Sequence, residues 1–77
     1  MNKDIHIGKL IKERFDESNL SVSEFAAALN KSRTTIYDIF SRKSMDIDLL
    51  LQISDILDYD FLGKIYELNS KYTKYGK

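Results

Sequence analysis

The sequence predicts an all-α fold of five short helices, and three observations carry that reading. Five stretches place apolar residues at helical spacing. Polar residues suited to capping stand at helix starts, most clearly the Ser21 and Glu24 pair. The chain holds no proline, no glycine-rich linker and no repeat, so its 77 residues make one domain, near the small end of what folds without staples. With 43% apolar residues there is enough material for a compact core.

Helix one is expected over 5–17, with Ile7, Leu10, Ile11 and Phe15 along one stripe, and Ser18-Asn19 breaks it before Leu20. Helix two begins at Val22, because Ser21 and Glu24 can form a capping box that satisfies two free N–H groups. Its inward residues are Val22, Phe25, Ala26 and Leu29, and the small Ala26 lets a following helix cross closely. Asn30 ends it, since Asn tolerates the left-handed conformation that a sharp turn requires.

Ser32 caps helix three, whose Ile36, Ile39 and Phe40 must face the core. On a wheel of about 100° per residue, Thr34, Tyr37, Asp38 and Ser41 then point outward, with Arg33 on the edge of that face. Helix four starts after a cap at Ser44 or Asp46 and runs to Leu57, with Leu49, Leu50, Ile53, Ile56 and Leu57 as the expected centre of the core. Helix five, over 60–69, carries Phe61, Leu62, Ile65, Tyr66 and Leu68. Gly63 inside it costs about 1 kcal/mol relative to Ala, a cost that a close packing contact would explain. The domain therefore spans 1–69. Residues 70–77, SKYTKYGK, form a basic, aromatic tail with Lys71, Tyr72, Lys74, Tyr75 and Lys77. That tail reads as a frayed terminus with solvating charges in preference to an arm on DNA phosphates, because chain ends are usually poorly ordered.

The outward face of helix three combines hydroxyls, one aromatic ring and nearby cations. Such a face suits nucleic acid, since Arg pairs with the two acceptors of guanine while Ser, Thr and Tyr reach phosphates or bases. An ordinary surface helix is polar as well. Net charge counts against a DNA partner, because 12 cations balance 12 anions where DNA binders commonly show a basic footprint. The distribution offsets this. Residues 31–43 hold Lys31, Arg33, Arg42 and Lys43 against Asp38, whereas 46–60 hold five Asp and no cation. Binding follows the field at the contact patch, and charges farther than about 8 Å are largely screened at physiological salt.

The run 20–43, LSVSEFAAALNKSRTTIYDIFSRK, resembles the helix-turn-helix of the Cro and lambda-repressor superfamily, the XRE-like transcriptional regulators. Leu20, Ser21, Ala26, Ser32, Thr35 and Ile36 match its pattern, and Asn30 stands where the family has Gly. The likeness extends to Ile7-Gly8 upstream and to LLLQISDIL, 49–57, downstream. It implies a compact five-helix lambda-repressor-like domain that binds double-stranded DNA, with helix three in the major groove and helix two crossing the backbone. On this resemblance Arg33 and Thr34 are the main base-contacting residues, with Tyr37, Asp38 and Ser41 further along. Ser23, Lys31, Ser32, Arg42 and Lys43 complete the candidate interface. Val22 stands where many members carry a phosphate-anchoring Gln, although the N–H groups of Val22 and Ser23 can hold a phosphate at the helix start. Asp38 in a groove accepts only from cytosine N4 and is repelled by phosphate, so modest affinity is expected.

Other chemistries find little material. His6 is the lone histidine, expected at the surface, and there is no Cys, so neither a zinc constellation nor a Cys–His pair can be built within one chain. Asp46-x-Asp48 and Asp58-x-Asp60 do not continue into the Gly and Glu of a calcium loop and read as helix caps. No phosphate-cradling glycine loop or nucleophile elbow is visible, so neither an enzyme nor a cofactor is expected. The opening MNKDIHIGKL lacks the apolar run of a secretory leader, and no run approaches the roughly 20 residues that span a bilayer. A cytoplasmic protein without a membrane partner is the expectation.

Two function classes stay open. One is a sequence-specific regulator, expected to be a homodimer because a single module reads only a short half-site. Leu62 and Tyr66 on helix five and Tyr72 in the tail are the candidate interface, unless they are needed for the core. The other is a protein-interaction module, an antitoxin or adaptor that keeps the fold but has lost DNA binding. Neutral net charge, Val22 and Asp38 motivate it, and the Asp-rich stretch 46–60 would then dock a basic partner.

Overall fold

A capping side chain stands at the start of every helix in the computed structural model, which describes residues 5–73 and the side chains of 5–69. The elements run α1 (Ile7–Glu17), α2 (Val22–Leu29), α3 (Arg33–Ser41), α4 (Ile47–Leu57) and α5 (Phe61–Thr73), with no strand among the described residues. His6 Nδ1 accepts the Lys9 N–H at 3.1 Å, so α1 begins two residues later than expected and His6 is a half-buried cap. At α2 the capping box is complete: Ser21 Oγ accepts from the Glu24 N–H at 3.0 Å, and Glu24 Oε1 accepts from the Ser21 N–H at 2.8 Å. Ser32 Oγ accepts from the Thr35 N–H at 3.2 Å. Asp46, and not Ser44, caps α4 through the Leu49 N–H. Asp60 Oδ1 accepts from the Gly63 N–H at 2.9 Å. The same carboxylate is what a Cβ on Gly63 would strike, so the close contact expected there is with the helix's own cap. Caps of this kind each contribute about 1 kcal/mol by satisfying N–H groups that have no intrahelical partner.

Two helices stop by the same device. Asn30 lies at φ 59° and ψ 44°, its N–H donates to Ala27 O at 3.0 Å, and the Lys31 N–H donates to Ala26 O at 2.9 Å. At the end of α4, Asp58 lies at φ 54°, its N–H donates to Asp55 O, and the Tyr59 N–H donates to Ser54 O. Both are Schellman closures with a short polar side chain where glycine is usual. α5 runs four residues past the expected end at 69, so 70–73 of the expected tail are helical. Lys74, Tyr75 and Lys77, and the side chains of Lys71 and Tyr72, lie outside the described residues.

The core is built from every helix: Ile11 and Phe15 of α1, Phe25, Ala26 and Leu29 of α2, Ile36 and Ile39 of α3, Leu49, Leu50, Ile53 and Leu57 of α4, and Phe61 of α5. Ile7, Leu10, Val22, Phe40, Ile56 and Ile65 are half-buried against it. The rings of Phe15, Phe25 and Phe40 bring α1, α2 and α3 to one point, with centroids 5.3 to 6.3 Å apart. Such pairs add about 0.5–1.5 kcal/mol beyond the area they bury.

α1 and α3 also meet through their backbones. The Ile7 N–H donates to Lys43 O at 2.9 Å and the Gly8 N–H donates to Arg42 O at 2.8 Å. N–H groups at the head of one helix thus satisfy carbonyls just past the tail of another, with opposite helix dipoles adjacent. The approach requires glycine: a Cβ on Gly8 would collide with the carbonyl oxygens of Ile39, Phe40 and Arg42.

Candidate nucleic-acid interface

The inward face of α3 is held firmly, which fixes the direction of its outward face. Ile36 and Ile39 are fully buried, Phe40 joins the ring cluster, the Asn30 closure sets the angle from α2, and the Gly8 junction ties down the far end. Arg33, Thr34, Tyr37, Asp38 and Ser41 all lie exposed on the side turned from the core, Tyr37 with 60% of its surface free. Ser23 at the start of α2, Lys31 and Ser32 in the turn, and Arg42 and Lys43 beyond α3 are exposed too. The structure therefore leaves all ten candidate residues accessible.

Several of their polar groups are already engaged within the protein. The Ser32 hydroxyl caps α3 and lies 3.0 Å from Thr35 Oγ1, so it is committed to the helix start. Ser41 Oγ donates to Asp38 O at 2.7 Å, which leaves its lone pairs to face outward. Val22 packs against the core, as an apolar side chain in that place must.

Asp38 is also engaged. Arg42 Nη2 lies 2.7 Å from its Oδ2 and Arg42 Nε donates to the same oxygen at 2.8 Å. The i, i+4 spacing of 38 and 42 was the signal for this pair, yet Arg42 follows the last residue of α3, where periodicity no longer dictates direction. One cation of the basic cluster is thereby neutralised, while Lys31, Arg33 and Lys43 make no ion pair with another described residue.

On α5, Leu62 is 36% and Tyr66 73% exposed, and neither belongs to the buried core. A shallow cleft lined by Leu10, Glu13, Arg14, Glu17, Tyr59 and Lys64 separates α1 from α5. Arg14 there stacks 4.5 Å over Tyr59 and pairs with Glu17 at 2.8 Å. Among the described residues no helix is long and apolar enough to cross a membrane.

Comparison with known families matches residues 11–63 to the helix-turn-helix family, a span that contains α2, the Asn30 turn and α3 whole. No curated protein and no solved structure matches the chain. With most of its length covered, and with the two helices and their turn in the arrangement described above, the chain belongs to the XRE/lambda-repressor-like family of DNA-binding helix-turn-helix domains.

Proposed function

We propose that this protein is a sequence-specific transcriptional regulator of the XRE or Cro type, acting in the cytoplasm on double-stranded DNA with α3 in the major groove. The observation that supports it most is the exposure of Arg33, Thr34, Tyr37 and Ser41 on a helix whose opposite side is locked into the core. Base reading requires donors and acceptors held in register with a groove about 12 Å wide, and a helix anchored at both ends supplies that. Arg33 and Thr34 read base edges, and Lys31, Lys43 and the N–H groups of Val22 and Ser23 hold phosphates on either side. A homodimer formed through Leu62 and Tyr66 would carry two such helices to half-sites about 10 base pairs apart.

A second reading, a protein-binding module without DNA affinity, draws on the Asp38–Arg42 pair and the five Asp of 46–60. Selection from a randomised duplex pool separates the two. A regulator enriches a palindrome, and log affinity on it falls with log salt at a slope of roughly −0.9 per neutralised phosphate. A chain that enriches nothing and shows only weak, salt-sensitive retention favours the protein-binding reading.

A further inference from the structure

The Asp38–Arg42 pair has an asymmetry that bears on which base the domain reads. Both guanidinium nitrogens fall on one oxygen, Oδ2, at 2.7 and 2.8 Å. Oδ1 takes no hydrogen bond from a described residue. Asp38 is on the outward face of α3, one turn after Thr34, and its side chain keeps 53% of its surface free. An exposed i, i+4 pair contributes little to stability, so its effect on the carboxylate matters more than its effect on the fold.

We infer that Asp38 is a specificity-determining residue that selects cytosine in the half-site, and that Arg42 is the positioning residue that presents its free oxygen. This inference rests on the reading that α3 enters the major groove. A carboxylate can only accept. Guanine offers two acceptors in that groove and thymine one acceptor and a methyl group, so both repel it or leave it unpaired. Adenine has an amino donor, but flanked by its own N7 and by the O4 of its partner. Cytosine N4–H₂ has an acceptor on one side only and is the donor a lone carboxylate oxygen suits best.

Arg42 removes the two obstacles to such a contact. Its charge offsets the repulsion between Asp38 and the phosphates on the groove walls, and its two contacts to Oδ2 favour the carboxylate rotamer that leaves Oδ1 outward before DNA arrives. A single hydrogen bond is at the low end of base discrimination, about fivefold over thymine.

Duplex-pool selection run in parallel on the wild type, Asp38→Asn and Arg42→Ala tests this. Asp38 and Arg42 are both exposed, so the folded state survives either change, and melting curves verify it. The expected result is one column fixed as cytosine in the wild type that moves to adenine in Asp38→Asn, because an amide pairs with adenine N6 and N7. Arg42→Ala relaxes that column while the other columns keep their bases, and, with Asp38 no longer neutralised, it also lowers affinity on the whole site. Loss of preference confined to one column is what a purely structural role for Arg42 would not produce. If the wild type enriches a site and Asp38→Asn enriches the same bases at every position, Asp38 does not read a base and the inference is overturned, with groove insertion by α3 left intact. If the wild type enriches no site, the groove reading falls and takes this inference with it.

Discussion

α3 and α5 each leave one face to solvent, yet the two faces differ in chemistry and in how they are held. α3 exposes Arg33, Thr34, Tyr37, Asp38 and Ser41, and it is anchored by two fully buried isoleucines, a ring cluster, the Asn30 closure and two backbone bonds from α1. α5 exposes Leu62 and Tyr66, and it is anchored by Phe61 and by the half-buried Ile65. A face that must present donors and acceptors in register needs a rigid mount, because a small misplacement leaves polar groups unpaired at a cost of about 1–3 kcal/mol each. A face that binds by apolar contact tolerates a looser one. This contrast is what the proposed assignment rests on, nucleic acid at α3 and a second copy of the chain at α5.

Removing the mount of α3 has the largest effect. Phe25→Ala takes the ring that touches both Phe15 and Phe40, and loses about 3–5 kcal/mol by the usual cost of Phe truncation in a core. For a domain this small that is most of its stability, and urea unfolding with the midpoint near zero denaturant is the expected result. Gly8→Ala comes next. It forces a methyl group against three backbone carbonyls that cannot swing away, so about 1–3 kcal/mol of overpacking is expected as a lower melting temperature. Gly63→Ala is the comparison, since there the added group meets the end of the Asp60 side chain, which can turn aside. The loss of the α5 cap, about 1 kcal/mol, is offset by the helix propensity gained, and the net change is smaller than at Gly8. The smallest effect on folding belongs to α5. Leu62→Ser with Tyr66→Ser lowers monomer stability by about 1 kcal/mol, because Tyr66 is 73% exposed and Leu62, at 36%, loses only partial burial and some helix propensity. Scattering at hundreds of micromolar should instead show the wild type as a dimer and this variant as a monomer; a monomeric wild type would remove α5 as a dimer interface.

Much of this architecture was legible residue by residue. The Ser21 and Glu24 box, the Ser32 cap, the Asn30 turn and the inward set of α3 are local features, decided by neighbours within one helical turn, and each is found where spacing and side-chain chemistry put it. What depends on distant chain was not legible. Gly8 could be matched to a pattern, but its reason is a carbonyl cluster more than thirty residues away. His6 as a cap, and α5 continuing through Ser70, escaped because weak start and stop signals leave helix ends open by a few residues.

The candidate interface was legible as a set of exposed residues, and less so in what those residues already do. Ser32 is engaged in capping and Arg42 is bound to Asp38. Side chains at a helix end have freedom that periodicity does not describe, so the charge left for DNA is smaller than the count of cations in 31–43 indicates.

Whether α3 reads the groove is decided by the affinity of the wild type and of the Arg33→Ala, Thr34→Ala double variant for the same selected duplex at fixed salt. Both side chains are exposed, so the variant should melt within about 0.5 kcal/mol of the wild type. With α3 in the groove, the variant loses at least about tenfold in affinity, the equivalent of one bidentate base contact. An unchanged affinity in a folded variant would refute groove reading by α3 and put the DNA-contacting surface elsewhere on the domain.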